Sequence, residues 1–140
     1  MKVVGVSAKV SNERDDLLEE AWELFFKSEV LDYLNGENIS EEIISVYHEY
    51  EGDCDDPYTL LIGYEVEDEC ETPNGLNDVT INLNHEVYQI KGDMPDAIMD
   101  AWEEIWDDTT RERAYIADFD IYNPKTDSAE IHVEYTSSAE

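Results

Sequence analysis

Leu18, Ala21, Trp22, Phe25 and Phe26 recur as Ile98, Ala101, Trp102, Ile105 and Trp106, so one apolar i, i+3, i+4, i+7, i+8 stripe is written twice, 80 residues apart. Each stripe specifies an amphipathic helix that must bury one face. Both carry the same tripeptide, Ala21-Trp22-Glu23 and Ala101-Trp102-Glu103, which favours a duplication over two unrelated helices. A duplicated chain has a seam between its halves, and seams between packed units are common places for small ligands to bind.

The segments around the two helices repeat as well. Lys2 to Val10 alternates as a first strand, Ser11-Asn12 offers a helix cap, and helix one is expected to run to about Lys27. Ile43 to Tyr50 and Tyr58 to Val66 read as a hairpin turned by Gly52-Asp53-Cys54-Asp55-Asp56-Pro57. Thr72-Pro73-Asn74-Gly75 marks the joint between halves. Glu86 to Ile90 then forms a strand, Pro95 suits the first turn of the second helix, and Tyr115 to Tyr122 pairs with Glu130 to Tyr135 across Asn123-Pro124-Lys125-Thr126-Asp127. Each half is therefore βαββ. At ~70 residues neither half covers its helix stripe and its sheet face well alone. The expected fold is α+β: tandem βαββ repeats forming a shared antiparallel sheet, with two helices on one face and a groove between the repeats.

The charge balance narrows the partners. A hydrophobic fraction of 41% over 140 residues supports a single folded domain, while 37 acidic against eight basic side chains give a formal charge of −29. That field repels nucleic acid and anionic membrane surfaces and attracts cations, although a solvated acidic surface suited to high salt has the same composition. No direct nucleic-acid contact and no membrane association are expected. Without a recognisable leader or a membrane-length apolar run, a cytoplasmic location is expected, with Cys54 and Cys70 as reduced thiols.

No phosphate-binding glycine loop, nucleophile elbow, His-Glu-x-x-His or Cys-x-x-Cys occurs. His48, His85 and His132 are far apart in strands, and Asp53-Cys54-Asp55-Asp56 lacks the pattern of a calcium loop, so no metal and no cofactor are expected. The better signal is acid interleaved with aromatic residues in strands, as in Tyr47-His48-Glu49-Tyr50, Tyr64-Glu65, Asp118-Phe119-Asp120-Ile121-Tyr122 and Glu134-Tyr135. Alternation puts Asp118, Asp120 and Tyr122 on one face and Phe119 and Ile121 on the other. A carboxylate in a groove walled by Trp22, Trp102 and Tyr or Phe rings would attract a flat organic cation by charge, cation–π contact and stacking.

Three segments carry a family resemblance: Tyr58-Thr59-Leu60-Leu61-Ile62-Gly63-Tyr64-Glu65-Val66, then Gly92-Asp93-Met94-Pro95 followed by Ala101-Trp102-Glu103-Glu104-Ile105-Trp106, and Arg113-Ala114-Tyr115-Ile116-Ala117-Asp118-Phe119-Asp120-Ile121-Tyr122. The chain resembles the GyrI-like small-molecule-binding domains, the bacterial transcription activator effector-binding domain family, from about Lys2 to Tyr135. With no helix-turn-helix ahead of it, it looks like a free-standing member, as in the integron-associated effector-binding proteins. The resemblance implies one domain over 1–140, with repeat one at about 1–71 and repeat two at about 76–136. It also implies a groove that accepts hydrophobic, often cationic, compounds and an acidic residue that meets the cation.

Family members typically read Asp-Phe-Glu-x-Tyr where this chain has Asp118-Phe119-Asp120-Ile121-Tyr122, which withdraws the carboxylate by about one methylene. The expected ligand-binding residues are Trp22, Phe26, Tyr47, Glu49, Tyr64, Glu65, Trp102, Trp106, Asp120 and Tyr122, with Glu49 and Glu65 as substitute carboxylates. The leading expectation is a stand-alone sensor or sequestering protein for a small hydrophobic or cationic ligand. Two rivals stand beside it. Some relatives look like hydrolases of strained cyclopropane-type toxins, which would need a groove acid with a raised pKa beside a Tyr or a second acid. Another branch resembles gyrase inhibitors, for which the acidity would serve contact with a basic protein partner of unknown identity.

Overall fold

The alternating run at the N-terminus forms strand β1 (Lys2–Val10), and the duplicated stripes form helices α1 (Asp15–Lys27) and α3 (Asp96–Asp107). The remaining elements are α2 (Val30–Leu34), β2 (Ile43–His48), β3 (Tyr58–Val66), β4 (Asn77–Thr80), β5 (Glu86–Ile90), β6 (Ala117–Asn123) and β7 (Ser128–Val133). These come from a computed structural model that describes residues 1–11, 15–34, 36–48, 57–81, 85–90, 96–107, 117–123, 125–126 and 128–134. The acidic turn Asp53-Cys54-Asp55-Asp56 and the ends of three expected strands, Glu49-Tyr50, Tyr115-Ile116 and Tyr135, lie outside the described residues.

All seven strands join one antiparallel sheet in the order β4-β1-β3-β2-β6-β7-β5. The strand order of the first repeat, β1-β3-β2, is mirrored by β6-β7-β5 of the second, and the β2–β6 ladder is the seam where the two meet. The helices pack on one face: α1 rests on β1 and β3, and α3 on β5. Below α1 lie Val4, Val6, Leu60, Ile62 and Tyr64; below α3 lie Ile90, Ala129, Ile131 and Val133.

Two elements depart from the sequence expectation. α2 falls in a stretch without a periodic signal, because only Val30 and Leu34 of its five residues are buried. Glu29 sits at φ 51 between α1 and α2, a left-handed break that turns the chain without a glycine. β4 reads Asn-Asp-Val-Thr and is made by pairing with β1, Val3 opposite Val79, not by its own pattern. The expected joint is a turn, with Gly75 at φ +91 and the Leu76 N–H donating to the Pro73 carbonyl at 3.1 Å.

The face away from the helices is also buried. Val3, Ile44, Val46, Leu61, Ile81 and Phe119 form a second core there, which explains the unbroken apolar runs Ile43-Ile44 and Leu60-Leu61-Ile62. Chain length requires the sheet to curl, and Ile81 and His85, at the two ends of the connection between its edges, both pack in this second core, so this face is the concave one. Thr80 ends one edge strand and Glu86 begins the other, and six residue steps reach at most about 20 Å. Six interstrand spacings laid flat cover about 29 Å. The sheet is therefore curled, with its edges drawn together over this second core. Gly5 and Gly63 face each other across the β1–β3 ladder on the concave side, where a Cβ on Gly63 would stand 2.0 Å from the Val4 carbonyl oxygen. Side chains at that pair would hold the strands apart and oppose the bend. No helix among the described residues is long and apolar enough to cross a membrane.

Candidate functional site

The seam supplies the chemistry. Across the β2–β6 ladder Ile43 faces Tyr122, Ser45 faces Asp120 and Tyr47 faces Asp118, all on the helix side of the sheet. Tyr47 and Tyr122 each pack against both the α1-side and the α3-side cores, so they bridge the two repeats. Only 3% of Asp120 is exposed. The Tyr47 hydroxyl donates to its Oδ2 at 2.7 Å, and the Trp102 indole N–H donates to the same oxygen at 3.3 Å. Both donors are neutral.

Burial dominates the electrostatics of this carboxyl. Loss of hydration raises the Asp120 pKa to about 6, and the Tyr47 and Trp102 hydrogen bonds pull against that rise without cancelling it. Ser45, buried opposite Asp120, also favours the charged form, by less than Tyr47 or Trp102. Asp118 is equally buried yet serves the sheet, its Oδ1 accepting the Glu134 backbone N–H at 2.9 Å.

Aromatic rings surround the pair. The Tyr47 ring meets Trp102 edge to face with centroids 5.1 Å apart and lies 5.8 Å from Tyr58. On the α1 side, Phe25 is the centre of a second group, 5.9 Å from Trp22, 5.3 Å from Phe26 and 5.7 Å from Tyr64. Tyr64 is buried, and lost hydration together with the Glu41 charge raises the pKa of its phenol.

The structure thus brings Tyr47, Trp102, Asp120 and Tyr122 together and places Trp22 and Tyr64 in the neighbouring aromatic group. Phe26 packs against Trp22 and Phe25 on the outer side of that group and is 66% exposed. Glu65 pairs with Val3 and alternates with Tyr64, so it lies on the face away from the helices, opposite to that of Asp120. Glu49 and the Trp106 side chain lie outside the described residues. Sequence reasoning did not single out Ser45, Tyr58 or Phe25 for this site. Ser45, the small polar residue inside Ile43-Ile44-Ser45-Val46, was the available signal, but only the strand register shows which carboxyl it meets.

On the concave side, His132 stacks on Phe119 at 4.3 Å and His85 meets the same ring at 5.0 Å. Burial lowers the His132 pKa, opposed by its hydrogen bond and charge interaction with Glu130 and reinforced by His85. Histidines scattered in sequence therefore gather around one ring. Among the described residues, no three or more His, Cys, Asp or Glu side chains converge as a metal-binding group.

The family model described as integron-associated effector binding protein matches residues 1–138. The chain belongs to this family. The effector-binding fold extends to solved structures. An integron cassette protein from the mobile metagenome of Vibrio cholerae superposes with a TM-score of 0.76 at 17% identity, covering 97% of this chain and 90% of that one. SAV2435, solved bound to tetraphenylphosphonium, gives 0.73 at 16% identity over 98% and 89%. A protein from Staphylococcus aureus MU50 described as a bacterial transcription regulation protein gives 0.65 at 15% over 98% and 93%. At these identities the likeness is one of fold, the GyrI-like arrangement of two βαββ units. No curated protein matches the sequence significantly.

Proposed function

We propose that this effector-binding protein captures hydrophobic organic cations at the seam between its repeats, as a sensor or sequestering protein, with Asp120 as counter-ion. The observation that carries the reading is a deeply buried carboxyl held by two neutral donors and ringed by Tyr47, Trp102 and Tyr122. Such a group is costly to ionise alone, and a cation that enters beside it recovers that cost while the rings supply cation–π and stacking contact. Membership of an effector-binding family supports small-molecule binding, and the tetraphenylphosphonium held by a protein of the same fold supports a cationic ligand. Trp22 and Tyr64 would extend the aromatic wall on the α1 side, with Phe26 at its outer rim; Glu49 and Trp106 remain proposed contacts.

The pH dependence follows from the carboxyl. A cation needs Asp120 ionised, so protonation competes with it below about pH 6. Titrating tetraphenylphosphonium against tryptophan fluorescence should give a steady affinity from about pH 8 to pH 7 and a fall approaching tenfold per unit below about pH 6. Triphenylphosphine oxide, a neutral analogue, should bind more weakly and show no such fall. Equal affinity for both ligands at all pH values would remove the counter-ion role.

A second reading has one specific observation in its favour. Asp120, with its raised pKa, lies 2.7 Å from the Tyr47 hydroxyl, the pairing of groove acid and Tyr that a hydrolase would require. Capture is expected to win. Incubation with an excess of a cyclopropane-bearing electrophile should release no more than one equivalent of product, and repeated turnover that disappears in Tyr47→Phe would establish the enzyme instead.

A further inference from the structure

β5 closes one edge of the sheet, with a strand on one side only among the described residues. Beside it opens a cavity of about 500 Å³, lined by four consecutive residues, Val87 to Ile90, and by Ala101, Glu104 and Ile105 of α3. Tyr88 and Ile90 face α3, Val87 and Gln89 border the cavity between and beside them, and β5 is itself the edge strand of the sheet. The cavity is therefore a groove between a sheet edge and a helix. An extended peptide suits that geometry: its main chain adds a strand to the edge, and alternate side chains reach the groove.

The walls specify the peptide. Ile90 and Ile105 are buried and apolar, and Ala101 is small enough to leave room for an incoming side chain. Acidic charge borders the groove, with Glu104 in its wall and exposed Glu86 directly before Val87 on β5, on a chain of formal charge −29. A second copy of this chain would bring the same charge to the same edge, which disfavours self-pairing. We propose that β5 and α3 form a docking groove for an extended, Lys- or Arg-rich peptide segment of a partner protein, which places an apolar side chain between Ile90 and Ala101. This groove is two ladders away from Asp120 and separate from the cation site.

The test uses the full chain and a fluorescein-labelled heptapeptide, Lys-Thr-Lys-Leu-Lys-Thr-Lys. Expected is saturable binding tighter than about 1 mM, the weak end of measurable recognition, with slowed amide exchange confined to β5. Two control peptides separate docking from general attraction to an acidic surface: one keeps the charge but is N-methylated at alternate residues, and one has Glu in place of Lys. Each should bind at least about tenfold more weakly, because one loses the strand hydrogen bonds and the other the charge match. Glu104→Lys, on an exposed position, should weaken the parent peptide and leave tetraphenylphosphonium binding unchanged. Ala101→Leu, which fills the groove, should do the same and serves as a second variant should the first misfold. The proposal is overturned by equal binding of the N-methylated peptide, by amide protection elsewhere, by no saturable binding, or by sedimentation showing that β5 pairs two copies of this chain.

Discussion

Asp120→Asn is expected to raise the melting temperature at pH 8 and at the same time to weaken organic-cation binding by about 1–3 kcal/mol, roughly 5- to 150-fold. The two effects have one cause. The carboxyl has a pKa of about 6 in the fold against 3.8 for the ordinary group, so ionisation costs the folded state more than the unfolded one. The stability linked to its neutral form is fully present below about pH 4 and is lost as pH rises through about 6. The shift of about two pKa units corresponds to about 3 kcal/mol. Asparagine has the same shape, and its Oδ1 can accept from Tyr47 and Trp102 where Oδ2 does now, without the charge. Above pH 7 the variant should gain up to about 3 kcal/mol, a rise of up to about 10 °C for a domain of this size, and below pH 4 almost nothing. Paired thermal melts across that range, with tetraphenylphosphonium titrations at pH 8, separate the effects. A variant less stable at pH 8 would make the charge a structural requirement, and unchanged affinity would move the counter-ion elsewhere, first to Glu49.

Gly63→Ala should cost more than about 4 kcal/mol, a large share of a domain's stability. The new Cβ would stand 2.0 Å from the Val4 carbonyl oxygen and 2.7 Å from the Gly5 Cα, both backbone atoms of the adjoining strand. No side-chain rotation relieves such a contact, so β1 and β3 must separate where the sheet bends. Gly36→Ala is the matched control. Gly36 has φ +87, and a methyl group added there would meet nothing within 4 Å, so its cost is that of a left-handed backbone alone, about 1 kcal/mol. Guanidinium denaturation of both variants decides the point: comparable losses would mean that the pinch between β1 and β3 is not what closes the fold.

The duplicated stripe and the strand alternations were sufficient to place α1, α3, β1, β3 and β5, because helical and strand periods are local and each element carries its own. They also sufficed for the α+β architecture with helices on one face, and alternation put Asp120 and Tyr122 on a common face. α2 and β4 were not legible, since one buries two residues and the other exists only as a partner of β1. The repeats look alike in sequence, yet Trp102 reaches a buried carboxyl while Trp22 packs against Phe25 and Phe26. That difference arises from β2–β6 pairing, which sets Ser45 opposite Asp120 and Tyr47 within reach of it. The face of Glu65 was not legible for the same reason: whether it meets the helices or the concave core depends on pairing with Val3, a residue 62 positions away. The second core and the curl behind it follow from joining two opposite edges by a six-residue step. Side-chain period therefore determined the elements and the face each could bury. Register, curvature and the desolvation that gives Asp120 its character come from contacts between residues far apart in the chain, and only the tertiary structure decided them.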